Sequence, residues 1–380
     1  MPLDVTIDHA RLLAAINAAH SIAEKRTISG SASLNSILLD ADPKKGLTVT
    51  ATDMSLTSTE VLDVRLDTEV NAAGGLLVPA RYLQAIVKTM PTGAIRLREM
   101  DNHWAEITAK RSSFKIMGQS VRDFPDIPQL PGSKAFSKVA TPLLLNLIEA
   151  TLASISTDEA RVNLNGLLFE STGKHCTAVS TDGHRLTKLT VELPGPHLER
   201  GVVIPRKGVI ALQSLISRTK AGEVEIAVDA PGWMFARVGG VTLSIKLNNV
   251  TFPPYEQVIP KTCMREAVVL RDELVLMLKR STVIAPEKTS TVRMTFSSKS
   301  KTLEITASNP DLGDVKDEME MDLYSGGDIL AGFNAEYLLD ALAVILTKKV
   351  KLSMQGELDP LAIKPVDGPD FIGVVMPMRV

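Results

Sequence analysis

Apolar residues recur along the 380-residue chain at two spacings. In one, they fall at i, i+3, i+4 and i+7, as in Leu83, Ile86, Val87 and Met90, which is the stripe of an amphipathic helix. In the other they alternate with polar residues: Leu62, Val64 and Leu66; Val224, Ile226 and Val228; Val350, Leu352 and Met354. Period two predicts half-buried strands. Helical spacing predicts opening helices over 8–23, 140–156 and 270–284, with Thr141 as N-cap and Pro142 in the first turn. It also predicts a strand running into a second helix over 76–90, 202–216 and 330–345.

These elements come round three times in one order. LTVTATDMSL at 47–56, CTAVSTDGHRL at 176–186 and LEITASNPDL at 303–312 are each an alternating strand that ends in a polar turn. The turn residues Asp53, Asp182 and Asn309 lie 129 and 127 residues apart, so three periods account for almost the whole chain. Phe124–Pro125 and Phe252–Pro253 repeat 128 residues apart and open proline-rich exits. Domains are therefore expected at 1–128, 129–260 and 261–380. Two helices and several alternating strands per unit indicate an α+β fold with antiparallel sheets and helices packed on one face.

Composition narrows the class. Hydrophobic residues make up 44% and charged residues 23%, enough apolar surface for the chain to fold throughout. The start, MPLDVTIDHARLL, has no basic region leading into an apolar one, and no run approaches the ~18 apolar residues of a membrane span. No membrane partner and a cytoplasmic location are expected. Cys176 and Cys263 stand far apart without CxxC or Cys/His spacing, and the six histidines form no HxH or HExxH. No disulfide, metal or cofactor is expected, and no phosphate-binding glycine loop is present.

Ser180-Thr181-Asp182-Gly183-His184-Arg185 brings hydroxyl, carboxylate and imidazole together, which admits a hydrolytic reading with Asp182 and His184 as the reacting pair. A tight Asp-Gly turn accounts for the same letters, and the equivalent turns contain neither His nor Arg. No catalytic residue is assigned.

The net charge of −2 argues against a uniformly basic surface, so placement has to decide whether nucleic acid is a partner. Opposite the stripe of 76–90 lie Arg81, Gln84 and Lys88. The next unit puts Arg206, Gln213, Ser217 and Lys220 along one side, with Lys207 and Arg218 beside them. Such faces suit phosphates without reading sequence, and they equally suit plain solvation. The third unit breaks the pattern with Glu336 and Asp340.

TDGHRL at 181–186, VIPRKGV at 203–209, FPPYEQVIP at 252–260 and VVMPMRV at 374–380, together with the order and length of the repeat, closely resemble the bacterial DNA polymerase III beta subunit family, the sliding clamps. That resemblance implies three tandem clamp domains per chain. It also implies a head-to-tail homodimer, a six-domain ring with sheets outside and helices lining a central hole for duplex DNA. The ring is a non-enzymatic processivity factor that tethers the polymerase III catalytic subunit, the clamp loader, other polymerases and repair proteins. Interface residues carried over are Phe114 and Ile116 of one protomer facing Val283 and Ile284 of the other. DNA contacts carried over are Arg26 and Lys207, with Arg206 adjacent.

The family's partner-peptide pocket maps onto Leu164, onto Thr181, Gly183, His184, Arg185 and Leu186 at the TDGHRL turn, and onto Pro253 and Val258 in the second exit. It continues through Asn334, Tyr337 and Pro360 to Val374, Val375, Met376, Pro377, Met378 and Arg379. Two loops depart from the pattern: Val162 and Asn163 stand where clamps can carry aromatics, and 27–35 is rich in Ser, Gly and Ala. A specialised accessory clamp is the alternative those loops leave open.

Overall fold

The computed structural model describes residues 2–23, 32–64, 66, 68–229, 232–286 and 289–379. They form two compact units, Met1–Thr141 with Ile210–Leu247, and Pro142–Val209 with Asn248–Val380. These units do not follow the boundaries expected at 128 and 260. The reason is strand sharing: strands of the middle stretch hydrogen-bond in one sheet with strands of the first and in another with strands of the third.

Six helices are described: α1 (His9–Ile22), α2 (Ala80–Thr89), α3 (Thr141–Leu152), α4 (Arg206–Thr219), α5 (Arg271–Thr282) and α6 (Ala335–Ala343). Each lies where the periodicity predicts one. In the first unit α1 begins at Asp8, whose carboxylate accepts from the backbone N–H of Ala10 and Arg11 and so satisfies two orphan donors. Its buried face (Leu12, Ala15, Ile16, Ala19) packs on α2 and on the strands Gly46–Thr52 and Leu56–Leu62. In the second unit α5 and α6 pack together, with α5 over Thr302–Asn309 and Gly313–Glu320.

Two local expectations fail. Thr141 does not cap α3, since its buried hydroxyl has no hydrogen-bond partner. The strand expected through Leu62, Val64 and Leu66 ends at Leu62.

The first unit holds a five-stranded and an eight-stranded sheet, the second a nine-stranded and a four-stranded one, and every described pairing is antiparallel. The repeated polar turns are built alike. Asp53 Oδ1 accepts from the N–H of Ser55 and Leu56, Asp182 Oδ1 from His184 and Arg185, and Asn309 Oδ1 from Asp311. Thr52 Oγ1 donates to Leu56 O as Thr181 Oγ1 donates to Arg185 O.

Candidate partner-binding groove

The TDGHRL turn ends the strand His175–Thr181 and begins Arg185–Glu192. The latter pairs along its length with Asp370–Val375, placing Leu186 opposite Val374 and Arg185 opposite Val375. Beyond that strand Met376 N–H donates to His184 O, 2.9 Å, and Met378 N–H to Gly332 O, 2.8 Å. The chain end is thereby fixed beside the turn by backbone bonds. Beneath it lies an apolar cluster of Leu168, Val179, Leu186, Val203, Ala362, Ile372 and Val374, onto which the proline-rich exit lays Phe252, Tyr255 and Ile259.

These elements enclose a groove of about 330 Å³. Of the residues nominated from sequence, Leu164, Thr181, Gly183, Arg185, Leu186, Pro253, Val258, Val374 and Met376 line it. Four lining residues were not nominated: Asn163, Pro254, Tyr255 and Gln257. Three of these sit inside the FPPYEQVIP motif, so the signal was present, but which of its residues border the groove is set only by packing. The Tyr255 hydroxyl donates to Glu170 Oε2 at 3.2 Å, and burial, reinforced by that carboxylate, pushes it up to about 12. It stays a neutral donor at any physiological pH.

The remaining nominated residues fall elsewhere. Asn334 caps α6, its carboxamide oxygen accepting from Glu336 and Tyr337 N–H. Tyr337 lies under Arg185, whose guanidinium carbon is 4.3 Å from the ring centroid, and burial raises its phenol. His184 is exposed at the turn, Val375 is buried beneath the surface, Pro360 and Pro377 are half-buried, and Met378 and Arg379 line a different concavity.

Arg185 is the hub of the groove wall. Its side chain, 14% exposed, pairs with Asp182 at 3.0 Å and with Asp340, and donates to Ala153 O at 2.5 Å. Asp182 therefore staples the turn and holds an arginine. Asp340, whose side chain is 45% exposed on α6, is the second carboxylate on this guanidinium. Among the described residues no group of three or more His, Cys, Asp or Glu side chains could hold a metal ion, and no helix is long and apolar enough to cross a membrane. Both cysteines are free thiols.

The nominated cations divide as well. Arg81 and Lys88 are exposed on α2 beside Tyr82, itself 60% exposed, while Gln84 donates to Asn17 of α1. Lys207 is exposed at the start of α4. Arg206 is half-buried and donates to Leu152 O and Ile155 O at the end of α3, so its guanidinium is engaged at a helix terminus. Arg26 and 27–31 of the departing loop lie outside the described residues. Phe114 is 39% exposed and Val283 71%; Ile116 and Ile284 are half-buried.

A threefold α+β repeat, with an apolar groove walled by the strand Asp370–Val375, defines a scaffold that captures other proteins. The chain belongs to the DNA polymerase III beta subunit family: the models of its N-terminal, central and C-terminal domains match residues 3–128, 138–254 and 256–379. A beta sliding clamp of Pseudomonas aeruginosa is 33% identical over 339 residues, 88% of this chain and 90% of that protein. One of Rickettsia bellii is 30% identical over the full length of both. The crystal structure of the DNA polymerase III subunit beta from Pseudomonas aeruginosa superposes with a TM-score of 0.90 at 30% identity, covering 99% of this chain and 100% of that one. The Bacillus subtilis sliding clamp shares the fold at 0.93 and 22% identity over all of both chains. The chain is accordingly a non-catalytic processivity subunit, and nothing in these likenesses favours a specialised accessory form.

Proposed function

We propose that two copies of this chain close head to tail into a ring around duplex DNA in the cytoplasm, slide along it, and hold DNA-acting proteins through the groove walled by Met376. Three domains, 1–128, 129–260 and 261–380, make up each protomer. The observation that carries the partner reading is the groove itself: an open apolar cleft of about 330 Å³, floored by Leu186 and Val374, beside a turn whose Thr181 hydroxyl and Asp182 carboxylate are engaged internally. A short peptide from the polymerase III catalytic subunit, the clamp loader, or another polymerase or repair protein buries two or three apolar anchors there, and those supply most of the affinity.

Two sheet edges support the dimer. Ser112–Met117 ends the five-stranded sheet and carries Phe114 and Ile116 with Lys115 between them; Gly313–Glu320 ends the four-stranded sheet and is acidic at Asp314, Asp317, Glu318 and Glu320. An unpaired edge is a template for another strand, and opposite charge selects the partner edge. Val283 and Ile284, at the end of α5, complete the apolar contact with Phe114 and Ile116. Arg81, Lys88 and Lys207 meet phosphates without reading bases.

Loading the protein onto nicked circular DNA and then linearising it tests the ring: protein is retained on the circle and lost from the line. Equal retention on both forms overturns topological holding.

A further inference from the structure

We infer that Tyr82 of α2 stacks on an unpaired base of DNA, so that the face made by α1 and α2 favours a strand end or gap over continuous duplex; the inference rests on the DNA reading above. Tyr82 is 60% exposed, more than any other described Phe, Tyr or Trp. The side chains of Arg81, Tyr82 and Lys88 make no hydrogen bond, ion pair or ring contact with any described residue. All three are open to a ligand.

Their surroundings favour a polyanion. Neither helix contains a carboxylate: α1 reads HARLLAAINAAHSI and α2 reads ARYLQAIVKT. Asp8, just ahead of α1, is turned onto the N–H of Ala10 and Arg11. The exposed residues of α2 are Arg81, Tyr82, Ala85, Lys88 and Thr89, and those of α1 are Ala10, Ala14, Asn17 and Ser21. Thus α1 offers small uncharged side chains beside α2, against which it packs and to which Gln84 ties Asn17 at 3.0 Å. The aromatic ring rises from this low floor between two cations spaced about 10 Å along the helix. Covering such a ring is most favourable with a flat apolar surface. Duplex DNA keeps its base faces stacked on one another and presents sugar and phosphate, whereas an unpaired base has a free π-face. Stacking on an aromatic residue beside a cationic track holds single strands without reading their sequence. An apolar protein segment would cover the ring but leave Arg81 and Lys88 unanswered.

The test titrates the full-length protein at low salt, by anisotropy, into a fluorescein-labelled oligothymidylate of about 20 nucleotides and into a duplex of the same length. Tyr82→Leu is expected to weaken the single strand about fivefold or more, the size of one lost stacking contact, and to leave the duplex unchanged. Tyr82→Phe keeps the ring and should retain both affinities, while Arg81→Gln should weaken both forms alike, as loss of a phosphate contact does. Irradiating a strand that carries 5-iododeoxyuridine should join it to Tyr82, read by mass spectrometry of the cross-linked peptide. No change in Tyr82→Leu, or equal loss on both forms, overturns the inference and leaves the phosphate contacts standing. Loss in Tyr82→Phe as large as in Tyr82→Leu points to the hydroxyl and also overturns stacking. Displacement of the strand by an equal charge of polyglutamate, which has no flat base, does the same. Failure of the parent protein to bind either form overturns the reading of α2 as a DNA face and this inference with it.

Discussion

The described residues contain the same strand junction twice, and the groove described above lies at the second copy. In the first unit Leu56–Leu62 pairs with Val241–Lys246; in the second Arg185–Glu192 pairs with Asp370–Val375. Leu56 faces Ile245 as Arg185 faces Val375, and Lys246 N–H donates to Ser55 O as Met376 N–H donates to His184 O. Register and the flanking hydrogen bond are thus shared. The side chains differ: Thr57 and Ser244 stand where Leu186 and Val374 stand, Lys246 where Met376 stands, and Met54 where Gly183 stands. At the first junction the hydroxyls of Thr52 and Thr57, both buried, hydrogen-bond to each other at 2.8 Å. A docking site in this fold therefore comes from side-chain chemistry laid on a repeated frame, not from the frame.

The largest expected effect separates core from wall at one register position. Leu56 is 2% exposed, and Leu56→Ala is expected to cost about 2–5 kcal/mol in urea unfolding, the range for a truncated buried leucine. Arg185→Ala loses two carboxylates, a carbonyl and a tyrosine ring, but at a part-exposed site solvent screens those interactions, and about 1–3 kcal/mol is expected. A larger cost for Arg185 than for Leu56 would show that the second junction depends on the arginine for its fold and not only for its wall.

Next comes an exchange of chemistry. Met376→Lys gives the groove the residue its counterpart already has, and is expected to weaken an apolar-anchored peptide about 30-fold or more, as loss of a central anchor contact does. Folding should hardly change, because a lysine can run its stem along the wall and keep its ammonium in water. If affinity survives, the groove is not where peptides bind. Lys246→Met should not create binding, since Thr57 and Ser244 remain.

A smaller effect is expected at the turns. Met54 adopts φ 71° and Gly183 φ 93°. Met54→Gly relieves a left-handed methionine but adds freedom to the unfolded chain, so a net gain of under about 1 kcal/mol is expected. Gly183→Ala should have the opposite sign and cost about 1 kcal/mol. It meets no closer atom than Arg161 Nη1 at 3.9 Å, so strain and not a clash is the cause. Differential unfolding of the two variants checks both signs.

The repeat, the six helices and the matched turns were legible in the sequence because each rests on local spacing: 3.6 for α2, two for Val224–Val228, an Asx residue at 53, 182 and 309. Much of the groove was legible too, through TDGHRL, FPPYEQVIP and VVMPMRV. What was not legible depends on partners distant in the chain. Arg206 reads as one more cation on a basic helix until Leu152 and Ile155 present their carbonyls to it. Asn334 reads as a pocket amide until its position makes it the cap of α6. Asp340 lies on the exposed side of α6 as its spacing predicts, but spacing does not show that Arg185, 155 residues away, reaches it. Periodicity follows chain order, and so does not reveal that hydrogen bonding distributes the strands of the middle stretch between two sheets.

The smallest predicted effect concerns the far end of the junctions. Four residues beyond Leu56, Glu60 faces Val241; four beyond Arg185, Leu189 faces Phe371. A half-buried carboxylate thus occupies the place of a buried leucine, and desolvation raises it above the ordinary 4.5, with Arg218 and Arg11 opposing the shift. In the unfolded chain this acid loses its proton first, so between 4.5 and the raised folded value the folded state holds more protons. Stability contributed by the neutral acid is complete below that window and is lost as pH climbs through it. Glu60→Gln removes the titration. Its stability relative to the parent is therefore expected to increase with pH above about 4.5 and then level off, by less than about 1 kcal/mol in all. Urea unfolding of both proteins from pH 4 to pH 8 measures this directly. Parallel curves would mean that Arg218 and Arg11 cancel the desolvation, and that the first junction is no more sensitive to pH than the Leu189–Phe371 pair of the second.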